Sequence, residues 1–189
     1  MKLFFAVVFS VLLISACTSP HRPLFISPKP EASASLNLGT SSFGWQLQDK
    51  RPKSSMLTIQ TVDKVVALPN KPDWRAQLQS QLAQQFQAAG AVLEPAASTQ
   101  LQFNVQTLLA QAKQHPLDHE VHSEVVIEVA IRSKAGHYRK RFSGQSSYTA
   151  PFKVDPASVE RELNQLTERV LHDILHDQHW QQYLRRQLQ

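Results

Sequence analysis

Histidine is the side chain in this sequence best suited to chemistry near neutral pH, and most of its copies fall into two groups. His172, His176 and His179 are separated by four and three residues, which places all three on one face of a continuous helix. Neutral imidazoles at this spacing can chelate zinc or copper. The alternative is a solvated helix face near a helix end, where partly protonated histidine suits the dipole. We keep the three residues as candidate ligands but predict no bound metal or cofactor.

The second histidine group favours an ordinary structural or solvated role. His115, His119 and His122 lie around Pro116, in a predicted loop and strand start. The sequence also contains no His-Glu-x-x-His, no Gly-x-Ser-x-Gly and no phosphate-binding glycine loop. We therefore predict that the protein is not an enzyme, and we assign no catalytic residue. No nucleic-acid-binding motif occurs either, so nucleic acid is not an expected partner.

A predicted hairpin around Ala135-Gly136 carries a cluster of basic residues, namely Arg132, Lys134, Arg139, Lys140 and Arg141. These side chains could bind an anion, such as a lipopolysaccharide phosphate or the acidic patch of a partner. They could also protect exposed strand ends against unwanted pairing, which is a common use of charged residues. We favour the second interpretation.

The N-terminus has the pattern of a secretory signal peptide. Lys2 supplies a positive charge, and residues 3–14 are apolar except for Ser10. As a helix this apolar segment is about 18 Å long, too short for the ~30 Å hydrocarbon core of a bilayer. The small residues Ser15 and Ala16 follow it, so we expect cleavage between Ala16 and Cys17. Residues 1–16 are therefore predicted to be the signal peptide.

Ile14-Ser15-Ala16-Cys17 resembles the bacterial lipoprotein signal, in which the cysteine becomes the new N-terminus and is acylated. The resemblance implies lipid attachment at Cys17, the only cysteine, and two or more acyl chains anchor a protein stably to a membrane. The residue after Cys17 is Thr18 and not an aspartate. By resemblance to known lipoproteins, this implies transport to the outer membrane of a Gram-negative bacterium, with the domain facing the periplasm. The alternative is an ordinary secretory peptide followed by an incidental Cys17.

The remaining chain divides into a tether and one domain. Residues 17–38 contain Pro20, Pro23, Pro28 and Pro30, which predicts an extended, lipidated tether, with Leu24-Phe25-Ile26 as a possible short edge strand. Residues 39–189 have the length of a single periplasmic domain. Their mild positive charge is compatible with facing an anionic envelope surface and is also an ordinary solubility charge.

Period-two alternation predicts the strands. It occurs around Phe43, Trp45 and Leu47, and one or two further strands are expected between Met56 and Leu68. Three later strands form a predicted antiparallel meander. Their expected core faces are Leu101, Phe103, Val105, Thr107 and Leu109; then Val121, Ser123, Val125, Ile127, Val129 and Ile131; then Tyr138, Phe142 and Tyr148.

Two amphipathic helices complete the predicted fold. The first covers residues 72–89, with Gly90 at the left-handed position after its end, and the second opens at Asp155-Pro156. Their apolar stripes are Trp74, Leu78, Leu82 and Phe86 in the first, and Val159, Leu163, Leu166, Val170 and Ile174 in the second. The predicted fold is an α+β two-layer sandwich, with a mostly antiparallel sheet and two helices packed on one face.

The lipoprotein signal, the tether, a strand ending in Asp49-Lys50-Arg51, the helix ending at Gly90, the meander and the last helix together resemble the YajG-type lipoprotein family. This resemblance implies an envelope lipoprotein without an established activity. We therefore predict a non-enzymatic protein that is held at the membrane by its lipid and binds an envelope protein partner. The alternative is a periplasmic protein that binds a metal or small ligand through its histidine-rich surfaces.

Overall fold

The structure is a computed structural model, and it describes residues 22–31, 35–70 and 74–188. Along the chain its elements are β1 (Ser42–Asp49), β2 (Ser55–Gln60), β3 (Val65–Pro69), α1 (Trp74–Ala88), β4 (Val92–Leu93), β5 (Gln100–Gln114), β6 (Asp118–Ser133), β7 (Gly136–Pro151), α2 (Pro156–His176) and α3 (Gln178–Arg186). Apart from the possible edge strand at residues 24–26, the strands and helices predicted within these residues are present, which confirms the α+β fold. Within the described residues, no helix combines the length and the apolar content needed to cross a bilayer.

The long strand β5 is the centre of a mixed sheet. Along one edge β5 pairs with β6, and β6 pairs with β7, all antiparallel as the predicted meander requires. Along its other edge β5 pairs in parallel with β1 and then, further along, with β2. The short strands β4 and β3 extend the sheet beyond β1 and β2. The parallel pairing was not predicted, because period-two alternation reports which face is buried and not which strand is the neighbour.

Asp49 and Arg51 stabilise the break between β1 and β2. The Arg51 guanidinium donates to both carboxylate oxygens of Asp49 at 2.9 and 2.8 Å, and it lies over the Trp74 ring at 5.2 Å. Its side chain is only 4% exposed, and it also donates to the Leu108 carbonyl oxygen of β5 at 3.4 Å. Burial acts to raise the pKa of Asp49, but the Arg51 hydrogen bonds outweigh it and hold that pKa below its ordinary value. The Asp49-Lys50-Arg51 motif therefore has a structural role.

All three helices described pack on one face of the sheet, as predicted for a two-layer sandwich. Phe86 of α1 and Trp180 of α3 both make edge-to-face contacts with Phe103 of β5, with ring centroids 6.0 and 6.1 Å apart. The predicted apolar stripes of α1 and α2 are buried in full. Gly90 has φ +93°, so the left-handed end of α1 is also confirmed.

The core face predicted for β5 is wrong in its second half. Leu101, Phe103 and Val105 are buried as expected, but Thr107 and Leu109 are only partly buried, and Leu108, Ala110 and Ala112 fill the core instead. The register between β5 and β6 shifts between Val105 and Thr107. This bulge adds one residue to β5, and one extra residue turns every following side chain to the opposite face.

The C-terminal region contains a helix that was not predicted separately. α2 ends at His176, and the Asp177 carboxylate caps a new helix by accepting from the backbone N–H of Trp180 at 3.3 Å. Trp180 is fully buried and donates its indole N–H to the Ile174 carbonyl oxygen at 2.7 Å. The prediction of two helices, with Tyr183 and Leu184 as a possible extension of the second, is therefore corrected to three.

Part of the predicted tether belongs to the folded domain. Leu24, Ile26, Leu36 and Leu38 are buried in the common core. The expected edge strand is reduced to a single bridge between Leu24 and Asn70, in which the Leu24 N–H donates to the Pro69 carbonyl oxygen at 3.0 Å. Within the described residues, an extended tether can therefore include little beyond residues 22 and 23.

Candidate functional site

Residues 24–30, here called the strap, are clamped along helix α2 by a repeating set of hydrogen bonds. The backbone N–H groups of Phe25, Ser27 and Lys29 each donate at 2.8 Å, in that order, to side-chain oxygens of Glu160, Asn164 and Glu168. Two extended residues advance about 6.6 Å and four helical residues about 6 Å, so the two spacings match. The strap therefore runs parallel to α2, and its first residue lies nearest the N-terminal end of α2.

The strap also contacts α1. The Gln85 side-chain amide donates to the Pro30 carbonyl oxygen at 2.7 Å, while Leu24, Ile26 and Pro28 are buried. Just before the strap, the Arg22 guanidinium lies 3.8 Å from a carboxylate oxygen of Glu160. The predicted cleavage and lipid-attachment residues, Ala16 and Cys17, lie outside the described residues, so the described chain begins five residues after Cys17.

The C-terminal histidines do not share one face of a continuous helix, because α2 ends between them. His172 and His176 stack with ring centroids 3.9 Å apart, and the His176 Nδ1 lies 2.9 Å from the His172 carbonyl oxygen. His179 belongs to α3, and its Nδ1 is 3.7 Å from an Asp177 carboxylate oxygen. In the part of the chain that the structure describes, no three His, Cys, Asp or Glu side chains are grouped to hold a metal.

The other histidine group is divided between the two faces of the sheet. His119 is 5% exposed, and its Nδ1 lies 3.1 Å from the Phe152 carbonyl oxygen, while His122 is exposed on the face away from the helices. His115 is exposed in the turn between β5 and β6. These three imidazoles therefore do not converge.

One end of the sheet carries the most exposed large apolar side chains among the described residues. Val62 is 93% exposed, Leu117 83% and Phe152 80%. They lie in the β2–β3 turn, the β5–β6 turn and the connection from β7 to α2. β2 is parallel to β5, so the β2–β3 turn lies at the same end of the sheet as the β5–β6 turn, and Phe152 is hydrogen bonded to Leu117. We call these three residues the apolar end.

The backbone of the apolar end is held by a network centred on Gln114. The Gln114 side-chain amide donates to the carbonyl oxygens of Asp118 and Phe152 at 2.9 and 3.1 Å, and its oxygen accepts from the Val154 N–H at 2.8 Å. The Phe152 N–H donates to the Leu117 carbonyl oxygen at 2.8 Å. Phe152 has φ +68°, a left-handed conformation that is an outlier for a bulky residue. Such a conformation persists only where the surrounding structure holds it.

Strand β7 forms a long free edge of the sheet. It pairs with β6 over sixteen residues without a register shift, and no described residue pairs with its other edge. The Phe152–Leu117 hydrogen bond sets the phase of the ladder, because antiparallel strands alternate hydrogen-bonded and non-hydrogen-bonded pairs. Even-numbered residues of β7 therefore bond to β6. The N–H and C=O groups that point outwards belong to His137, Arg139, Arg141, Ser143, Gln145, Ser147 and Thr149.

The charges of β7 are basic and unevenly distributed. Lys140 forms an ion pair with Asp177 and also lies over the Phe142 ring at 5.1 Å, so it has a structural role. Arg139 and Arg141 are exposed and form no ion pair with any described residue. Residues 143–149 carry no charge. Only the half of β7 nearer its first residue therefore has the charged protection expected for an edge strand.

The ion pair of Lys140 also affects the titration of Asp177. Burial acts to raise the pKa of Asp177, but the hydrogen bond from Lys140 and the backbone N–H of Trp180 outweigh it. The pKa of Asp177 therefore lies below its ordinary value. The Asp177 carboxylate thus joins β7 to α3, while the Asp177 backbone N–H donates to the Ile174 carbonyl oxygen of α2.

Two surface concavities each include one histidine, which comes from a different histidine group in each case. One, of about 590 Å³, lies on the sheet face away from the helices and is lined by polar side chains that include Lys53, Lys113 and His122. The other, of about 450 Å³, lies beside the strap and includes Lys29, Arg169 and His172. Both are open and lined by side chains of mixed charge, so neither has the apolar enclosure typical of a small-molecule site.

Comparison with solved structures finds the same fold. A crystal structure of a Xanthomonas campestris protein aligns with a TM-score of 0.53 and 10% identity over 88% of this chain and 97% of that one. Weaker likenesses include a putative neuraminyllactose-binding hemagglutinin homolog from Helicobacter pylori, with a TM-score of 0.40 and 8% identity over 81% of this chain and 97% of that one. Another is the rare lipoprotein B from Shewanella oneidensis, with a TM-score of 0.33 and 12% identity over 64% and 87%. Only the first structure, which has the highest of the three TM-scores, supports an argument. At 10% identity that argument concerns the fold alone.

A family model described as "Uncharacterized lipoprotein" matches residues 28–185, which is most of the chain. No curated protein matches this chain. The matched segment begins within the strap and ends within α3, so it includes the whole sheet, α1, α2 and most of α3. This chain therefore belongs to the YajG-type family of uncharacterized lipoproteins, and it is an envelope lipoprotein.

Proposed function

We propose that this lipoprotein is attached through Cys17 to the outer membrane, faces the periplasm, and binds an extended acidic segment of another envelope protein along the free edge of β7. The observation that carries the proposal is the edge itself. β7 is sixteen residues long, has no bulge and offers a row of outward backbone donors and acceptors. An added strand can satisfy these groups, which is how β-strand addition binds extended peptides.

The charge of the edge favours an acidic segment. Arg139 and Arg141 are free of ion pairs with the described residues, and β7 contains no acidic residue. An acidic side chain opposite either arginine would form a charge-assisted pair. The neutral half, residues 143–149, would contribute backbone hydrogen bonds, with little preference for partner side chains.

A pair of proline substitutions tests the edge, one at an outward N–H and one at an N–H that bonds to β6. Because the Ser147 N–H points outwards, Ser147→Pro removes an unpaired donor, and proline is tolerated at such edge positions. Ser146→Pro removes a bond to β6 and should destabilise the sheet, so it reports whether the phase of the ladder is correct. Gln111 is exposed on the sheet face away from the β7 edge, so it serves as the control position for crosslinking.

The experiment is photo-crosslinking in intact cells from Gln145 and, as the control, from Gln111. We expect a crosslink to a different envelope protein from Gln145 only, mapping to an acidic extended segment. That crosslink should be lost in Ser147→Pro and weakened in the double variant Arg139→Gln and Arg141→Gln. A crosslink that survives Ser147→Pro in a folded protein, or one to a second copy of this chain, would contradict the proposal.

A ligand-binding role is the second candidate, supported by the concavity that includes His122, Lys53 and Lys113. Its cationic side chains suit a small anion, and His122 can also bind a metal. Calorimetric titration of the protein with zinc and with inorganic phosphate tests it. Uptake that disappears in His122→Ala would support this role, and absence of heat at micromolar ligand would dismiss it.

A further inference from the structure

The apolar end, Val62, Leu117 and Phe152, has an exposure that packing within the domain does not explain. In a single domain, exposed apolar side chains usually occur singly, whereas a group of them indicates an interaction surface. Here three neighbouring turns each present one large apolar residue at the same end of the sheet. Phe152 in addition has φ +68°, which an asparagine or glycine would adopt with less strain.

The position of the strap indicates that the apolar end lies on the side of the domain nearest the membrane anchor. The strap runs parallel to α2, and Arg22, the first described residue, lies beside Glu160 near the N-terminal end of α2. α2 begins four residues after Phe152, which places Arg22 at the same end of the domain as the apolar end. Five residue steps separate Cys17 from Arg22, and they span at most about 18 Å even when fully extended. Acyl chains on Cys17 would therefore hold the apolar end close to the membrane.

We propose that the apolar end inserts into the interfacial region of the leaflet that holds the Cys17 lipid anchor. This inference rests on the proposed acylation of Cys17. Aromatic and aliphatic side chains at turns are suited to the boundary between headgroups and acyl chains. The neighbouring charges have both signs: Asp63 and Lys64 follow Val62, Asp118 follows Leu117 and Lys153 follows Phe152. Apolar insertion would therefore drive the contact more than attraction to anionic lipid.

The Gln114 network explains how a strained turn can serve this purpose. Three hydrogen bonds hold the backbone of Phe152: its N–H donates to the Leu117 carbonyl oxygen, and its carbonyl oxygen accepts from Gln114 and from His119. The Phe152 side chain stays 80% exposed. An outlier held by its surroundings and presented to the outside is the signature of a functional constraint.

The experiment uses the full-length acylated protein in phosphatidylethanolamine–phosphatidylglycerol vesicles. Acylation consumes the Cys17 thiol, so an introduced cysteine is the only free thiol and accepts an environment-sensitive fluorophore. Pro116→Cys labels the apolar end, and Ala135→Cys labels the β6–β7 turn at the opposite end of the sheet; both positions are exposed. We expect lipid-borne nitroxide to quench the Pro116 label several-fold more strongly than the Ala135 label.

A matched variant separates insertion from folding. Phe152→Asn with Leu117→Asn should remove most of the difference in quenching, while the urea midpoint of unfolding stays the same or rises, because Asn suits φ +68° and Phe152 makes little packing contact. Vesicle flotation reports anchoring separately. Protein that floats but shows equal quenching at both labels would overturn the inference and leave the anchor intact. Protein that does not float would overturn both.

Discussion

The clamp between the strap and α2 gives the sharpest quantitative prediction. Replacing Glu160, Asn164 and Glu168 with alanine removes the acceptors of three backbone N–H groups. A net hydrogen bond contributes about 0.5–1.5 kcal/mol, and one to a charged group about 1.5–3 kcal/mol. Because two of these bonds are exposed and the released donors can bond to water, we expect a loss of about 2–3 kcal/mol from the local stability of the strap.

This loss should appear as opening of the strap while the domain remains folded. A change of about 1.4 kcal/mol is tenfold in an equilibrium, so the open fraction should rise roughly 30- to 150-fold. The alanines favour the helical conformation of α2, and Leu24 and Ile26 would still anchor the closed state.

Limited proteolysis measures the open fraction. An endoprotease that cuts before large apolar residues can cleave at Leu24, Phe25 or Ile26 only when the strap leaves α2, and mass spectrometry identifies the cut. When reclosing is fast relative to cleavage, the rate follows the open population. Gln165→Ala is the matched control, because Gln165 is an exposed residue of the same helix without a hydrogen bond to the strap backbone. Equal cleavage of the triple variant and the control would refute the clamp.

Two further predictions concern the packing of α2 and α3. Asp177→Asn should lower the free energy of unfolding at pH 7, and the difference from the unchanged protein should shrink as the pH falls below about 4; urea unfolding at pH 7 and pH 3 checks this. The sign follows from the lowered pKa of Asp177 in the folded protein. The ionised carboxylate stabilises the fold at pH values above the pKa of the unfolded state, and this stabilisation is lost as the pH falls through the pKa of the folded state. Gly144→Ala should cost about 1–3 kcal/mol of unfolding free energy, because its Cβ would lie 2.8 Å from Val170 and 2.9 Å from Leu166. An unchanged urea midpoint would contradict that packing.

Local patterns were sufficient for the elements that bury one regular face. The four-residue stripe of Trp74, Leu78, Leu82 and Phe86 is buried as expected, since a helix repeats its face at that spacing. The same reasoning failed at β5, where the bulge after Val105 reversed the phase without leaving a local signal such as glycine or proline. It also missed α3, because a capping aspartate inside an otherwise helical pattern looks like one more polar residue.

The candidate sites were harder to predict because their partners are distant in sequence. The prolines between residues 20 and 30 indicated a tether, yet Leu24, Ile26 and Pro28 alternate in the manner of a strand, and the acceptors that hold them come from α2, more than 130 residues away. The exposure of Leu117 and Phe152 was equally hidden, because apolar residues in a sequence are expected in the core. Only the topology shows that three turns meet at one end.

The two proposed surfaces together define an orientation that neither gives alone. β7 ends at Pro151, next to Phe152, and begins at Gly136, at the opposite end of the sheet. Sixteen residues at about 3.3 Å each extend roughly 50 Å. With the apolar end on the membrane, the uncharged residues 143–149 would lie nearer the bilayer, and Arg139 and Arg141 would lie furthest from it. Distance from the anionic headgroups leaves both arginines free to pair with an acidic partner, because surface charges are screened beyond about 8–10 Å. A partner segment that binds this edge would therefore have its acidic residues on the side away from the membrane.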